Sequence, residues 1–167
     1  MEYVKLKSSN ILEIGIQDNK GNATGEVLTF DIEDIETAEK YNECAEKHHD
    51  NVQRFKFDIA VIEKKQDVTK KGSLMSENEK AKMKRIREFY KDEMDALDLF
   101  LGENGTLKLL AGRKPYISMY DDITEALEKD VLPHLKTNYE SLVDKIKSKY
   151  NVESAANIID MDNENDN

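Results

Sequence analysis

The chain is expected to be mainly α-helical, with an N-terminal β-hairpin packed on a bundle of three main helices and one short helix. Three observations carry that expectation. Apolar residues alternate with polar ones up to residue 32. Thereafter they recur at steps of three and four. Glu, Lys and Leu are abundant while only two prolines and seven glycines interrupt 167 residues. That length suits one domain, assigned here to residues 1–150, followed by a tail at 151–167.

Leu12, Ile14 and Ile16 alternate with Glu13, Gly15 and Gln17, and Leu28, Phe30 and Ile32 do the same with their neighbours. Asp18-Asn19-Lys20-Gly21-Asn22 between them tolerates positive φ, so residues 3–32 read as a hairpin, with Val4 and Leu6 as a possible third strand. A lone hairpin is marginal in water and must pack its apolar face on the helices.

Ala38, Tyr41, Ala45, His48, Val52, Phe55, Ile59 and Ile62 lie on one stripe, which predicts a helix from about Asp34 to Lys65. Gln66 to Leu74 reads as a flexible connection. Ser76 with Glu79 forms a capping box for a second helix, whose apolar face is Met83, Ile86, Tyr90, Leu97 and Leu101, widened by Phe89, Met94 and Phe100. Gly102 stops it in the manner of a left-handed cap. Leu107, Leu109 and Leu110 form a short helix between Thr106 and Gly112. Ser118 and Asp121 can cap the third main helix, with Tyr120, Ile123, Leu127 and Val131 on one stripe and Leu135, Tyr139, Leu142 and Ile146 on another. Pro133 between them kinks or breaks it. From Asn151 the chain is acidic, Asn-rich and expected to be disordered.

The net charge is -10, half of it in residues 151–167, whereas residues 63–87 hold nine basic and four acidic side chains. An acidic whole argues against general nucleic-acid binding, because phosphate contacts need surplus positive charge. No apolar run approaches the ~20 residues that span a bilayer, and the N-terminus lacks a signal-peptide layout. A single cysteine, Cys44, makes no internal disulfide and suits a reducing cytoplasm.

No phosphate loop, nucleophile elbow or His-Glu-x-x-His motif is present. Gly102-Glu103-Asn104-Gly105-Thr106 precedes a helix but lacks the Gly-Lys-Ser/Thr ending of a phosphate loop. Cys44 and His48 stand one turn apart, beside His49, Glu43, Glu46 and Asp50. A zinc site needs two further ligands of the right type, and among histidines only His134 remains. The expectation is therefore a binding protein rather than an enzyme, with no cofactor and no metal.

Ala96-Leu97-Asp98-Leu99-Phe100-Leu101-Gly102-Glu103-Asn104-Gly105-Thr106 is followed by Leu107-Lys108-Leu109-Leu110-Ala111-Gly112-Arg113, then by Tyr120 to Leu127 and Val131-Leu132-Pro133-His134-Leu135. This order resembles the small tail assembly chaperones of long-tailed bacteriophages infecting Gram-positive bacteria. In that family an apolar helix ends in Gly-Glu-Gly-Thr or similar, a short helix closes with a Gly-Arg type ending, and a last helix carries a proline. The chain departs from the pattern at the extra Asn104 and at Lys114-Pro115. The resemblance implies that it coats the tape measure protein in the host cytoplasm, keeps it soluble, leaves as tail tube subunits polymerise, and is absent from the mature virion. It also implies a longer frameshifted form and allows a homo-oligomer. Partner contact is then expected at Phe100, Leu107, Leu110, Tyr116, Met119, Tyr120 and Ile123, around the two glycine turns. The competing reading is a small acidic inhibitor or adaptor whose carboxylates mimic nucleic acid. It fits less well with the basic band at 63–87.

Overall fold

The computed structural model describes residues 10–150, so Val4, Leu6 and the 151–167 tail lie outside the described residues. Strands β1 (Ile11–Gln17) and β2 (Ala23–Asp31) pair antiparallel in a two-stranded sheet, with Leu12 opposite Phe30 and Ile14 opposite Leu28. The turn between them is tied by Asp18. Its carboxylate accepts from the backbone amides of Lys20 and Asn22 at 2.8 and 2.9 Å and from the Asn22 side chain at 3.1 Å. The inward residues Ile16, Leu28, Phe30 and Ile32 are buried. They meet the C-terminal end of the second helix and the short helix, which supplies the cover a lone hairpin needs.

Five helices follow: α1 (Ile35–Glu63), α2 (Glu77–Leu101), α3 (Gly105–Leu110), α4 (Met119–Asp130) and α5 (Leu132–Tyr150). The side chain of Asp34 caps α1 by accepting from the Glu36 amide at 3.0 Å, and Ser76 and Glu79 form the reciprocal capping box at the start of α2. The core joins Leu97, Phe100 and Leu101 of α2 to Leu110, Met119, Tyr120, Ile123, Leu127, Val131 and Leu135, with Cys44 as the fully buried residue of α1. Beyond Asn51, α1 packs on the first half of α2 outside this core. The two form an arm held by the Phe55 and Phe89 rings, 4.6 Å apart, and by Lys82–Glu63 and Arg85–Asp58 pairs at 2.7 and 2.6 Å.

Three local expectations change, and the kink-or-break alternative at Pro133 resolves to a break. The third main helix is two helices: Val131, at φ -113° and ψ -53°, ends α4, and Pro133 sits in the first turn of α5, where its missing N–H leaves no bond unmade. Ser118 occupies the cap position of α4 but makes no side-chain capping bond. Gly102 has φ 82° but ψ 178°, so it is no left-handed cap; the left-handed residue of that turn is Asn104, at φ 58° and ψ 18°. An asparagine accepts that conformation at modest cost. The 64–76 connection is also fixed rather than slack: Glu77 N–H donates to the Val68 carbonyl at 2.9 Å, Ser73 N–H to Lys70 at 2.9 Å, and Asn78 N–H to the Asp67 carboxylate at 3.1 Å.

The Gly-Glu-Asn-Gly-Thr turn is explained by close packing. A Cβ on Gly105 would stand 2.3 Å from Leu101 Cβ. Thr106 is wholly buried, and its amide and hydroxyl both donate to one Asp98 carboxylate oxygen, at 2.7 and 2.6 Å. That carboxylate thereby pins α3 to α2.

Candidate functional site

The seven residues expected at a partner surface do not form one. Phe100, Leu110, Met119, Tyr120 and Ile123 are between 1 and 8% exposed and belong to the core. Phe100 is a hub there, with ring centroids 5.1 Å from Phe30 and 5.2 Å from Tyr41. Only Leu107 is well exposed, at 51%, on a shallow cleft between α2 and the α3 region that also takes in Tyr90, Met94 and Pro115. Tyr116 is half-buried and opens on a different cleft, beside β1 and α4. The glycine turns bring these side chains inward because α3 tucks under the hairpin.

The apolar surface that remains open lies elsewhere. A groove of about 690 Å³ runs between the first turns of α1 and the α4–α5 junction. Its apolar lining is Ile35, Ala38, Tyr41, Leu132, Leu135 and Tyr139, with Pro133 at the break and Glu39, Glu128 and Lys136 on the rim. The break at Val131 builds it, since α5 departs from the line of α4 and packs beside the start of α1. The second apolar stripe of α5 continues from its floor: Leu135 is buried, Leu142 is half-buried beside Ile32 and Ile35, and Tyr139 and Ile146 are 51 and 44% exposed. Burial and the nearby Glu128 carboxylate push the Tyr41 hydroxyl above its ordinary pKa, so it stays protonated and can donate.

A buried polar cluster stands between α1, α2 and α4. The Glu93 carboxylate, 3% exposed, meets His48 Nδ1 at 2.5 Å and accepts from Asn51 Nδ2 at 3.0 Å. The imidazole stacks on the Tyr120 ring at 3.6 Å between centroids, and the Tyr120 hydroxyl is a hydrogen-bond partner of the Cys44 thiol. Burial pushes that thiol up to about 11, so it is neutral at ordinary pH and a poor nucleophile or metal ligand. His48 is turned to Glu93 rather than to Cys44. Among the described residues no group of three or more His, Cys, Asp and Glu side chains could hold a metal ion. No helix of the described residues is long and apolar enough to cross a membrane.

Arg85 is the other charged residue on the buried face of α2. Its Nε donates to Asp58 and its Nη1 reaches Asp92 at 3.4 Å, while Nη2 is buried without a partner. A reading of apolar residues alone misses this face. Spacing reveals it, because Arg85, Phe89, Glu93, Ala96 and Phe100 follow one another at four, four, three and four.

Comparison with known proteins gives no family: no family model, no curated protein and no solved structure matches the chain.

Proposed function

We propose that the protein is a phage tail assembly chaperone that binds the tape measure protein, keeps it soluble in the host cytoplasm and yields it to tail tube subunits. The observation that supports this reading is the open groove together with the exposed stripe of α5. An apolar floor at Ile35, Leu132 and Leu135 continues into Tyr139, Leu142 and Ile146, three and four residues apart. Such a surface suits an amphipathic helix, which lays its apolar face into a groove while rim charges fix its register. A tape measure protein is long, helical and apolar, and needs that cover until the tube encloses it. The sequence order from Ala96 to Leu135 carries the family resemblance; the partner contact moves from the glycine turns to the α1–α5 groove.

The test is co-expression with the tape measure protein of the same genome, scoring the fraction that stays soluble and co-purifies. Wild type is expected to hold it in solution. Tyr139→Glu, at an exposed position, is expected to lose it while remaining folded. Insoluble tape measure protein beside a folded wild-type chain would overturn the reading.

A further inference from the structure

The α1–α5 groove is apolar on its floor and acidic at its mouth. Ile35 and Tyr139, which flank it, are 42 and 51% exposed. Asp31, Glu33, Asp34, Glu36 and Glu39 cluster around the start of α1, where Lys40 is already paired to Glu36 at 2.8 Å. Glu39 and Glu128 on the rim are exposed and make no ion pair among the described residues. A smaller cavity continues the groove to Ile32 and Leu142, sharing Ile35, Leu135 and Tyr139 with it. An occupant of this surface needs a few apolar side chains and positive charge.

The chain itself brings such a segment to the mouth. Ile32 N–H donates to the Asn10 carbonyl at 3.2 Å, so residue 10 lies beside the residue that lines the end of the groove. The antiparallel pairing of β1 with β2 sets the heading: upstream of Asn10 the chain runs on in the direction in which β2 leads into α1. The residues before it are Tyr3-Val4-Lys5-Leu6-Lys7-Ser8-Ser9. Laid out extended, they put Val4 and Leu6 on one face and Lys5 and Lys7 on the other. Length fits as well. The groove follows α1 from Ile35 to Asn42, about 10 Å at 1.5 Å per residue. Leu6 and Val4 stand about 13 and 20 Å upstream of Asn10 at 3.3 Å per residue, enough to pass Ile32 and reach along it. The other terminal segment, residues 151–167, has no lysine or arginine and would meet like charge at this rim.

We propose that residues 3–7 occupy the α1–α5 groove of their own chain, with Val4 and Leu6 on the apolar floor and the long side chains of Lys5 and Lys7 reaching back to Glu39 and Glu128. A tethered segment meets its site at an effective concentration in the millimolar range, so contacts too weak to hold a free peptide still keep the groove covered. The cover shields Ile35 and Tyr139 from water until an incoming amphipathic helix, with a longer apolar stripe, displaces it. That displacement rests on the function proposed above; the seat of residues 3–7 does not.

The experiment uses the purified full chain without any partner, so its failure and the failure of that function are told apart. Tyr139→Cys places a thiol on the groove wall, while the native Cys44 is 1% exposed and reacts little with a maleimide. Val4→Asp with Leu6→Asp in that background should speed labelling by about tenfold, the burial of two aliphatic side chains being partly offset by the ordering of the segment. Lys5→Glu with Lys7→Glu should speed it too, by an amount that falls as salt is added. Leu6→Cys with Tyr139→Cys should close a disulfide within one chain under mild oxidation, at a rate independent of protein concentration. Leu6→Cys with Leu107→Cys, on the cleft beside α3, should not. Labelling unchanged by either pair of N-terminal substitutions, or a disulfide that forms only between chains or equally well at Leu107→Cys, would overturn the proposal.

Discussion

Gly105→Ala places a methyl group where α2 and α3 cross. The added Cβ would stand 2.3 Å from Leu101 Cβ, well inside any contact real carbon atoms make, and Leu101 Cβ is fixed to the helix backbone. The side chain cannot swing away; α3 must move. Moving it draws on two dependents. Thr106 is wholly buried and shares one Asp98 oxygen through bonds of 2.7 and 2.6 Å, and Leu110 at 2% exposure closes the core beneath the hairpin. Overpacking of this kind costs about 1–3 kcal/mol. In a helix without the clash, alanine would instead gain about 0.5–1 kcal/mol over glycine. The net expectation is a loss of about 1–2 kcal/mol, read as a lower urea midpoint with an unchanged denaturant slope. Gly15→Ala is the control, since its added Cβ meets nothing within 4 Å, and it should fall within about 0.5 kcal/mol of wild type. A neutral or stabilising Gly105→Ala would refute the claim that this turn is glycine because two helices touch there.

Three further outcomes follow from the same geometry. Glu93→Ala strands the His48 and Asn51 donors and should cost about 2–4 kcal/mol in urea unfolding, while a loss below about 0.5 kcal/mol would mean the cluster is not formed. Ala111→Gly should stabilise by about 1 kcal/mol, because alanine there sits at φ 47° and ψ 46°; no gain would deny the left-handed conformation. The Cys44 thiol, raised from 9.0 to about 11 in the folded chain, binds its proton more tightly than in the unfolded chain. Its contribution is complete below pH 9 and lost as pH rises through 11, so stability should fall across that window, and Cys44→Ala should flatten that part of the fall.

Periodicity made the elements legible, because burying one face imposes a spacing of two on strands and three to four on helices. The hairpin and the long first helix follow from it, whereas the capping box at Ser76 follows from the spacing of Ser76 and Glu79. The buried charges Arg85 and Glu93 are legible only from their spacing with Phe89, Ala96 and Phe100, because hydropathy assigns both to solvent. Pro133 marked a disruption, but kink and break differ only in how α5 packs, and no local pattern encodes that. The groove joins residues 35–42 to residues 128–139, so it arises from the angle between helices. Each stripe was visible separately. Sequence order around the glycine turns pointed to a surface there, yet the close approach at Gly105 turns Leu110 and Met119 inward.

The most direct test of the central claim, that the α1–α5 groove receives the partner helix, is amide hydrogen exchange on the chain with and without bound tape measure protein. Added protection is expected in residues 35–42 and 132–142. Protection confined to the Leu107 cleft, or no change in the groove segments of a formed complex, would contradict it.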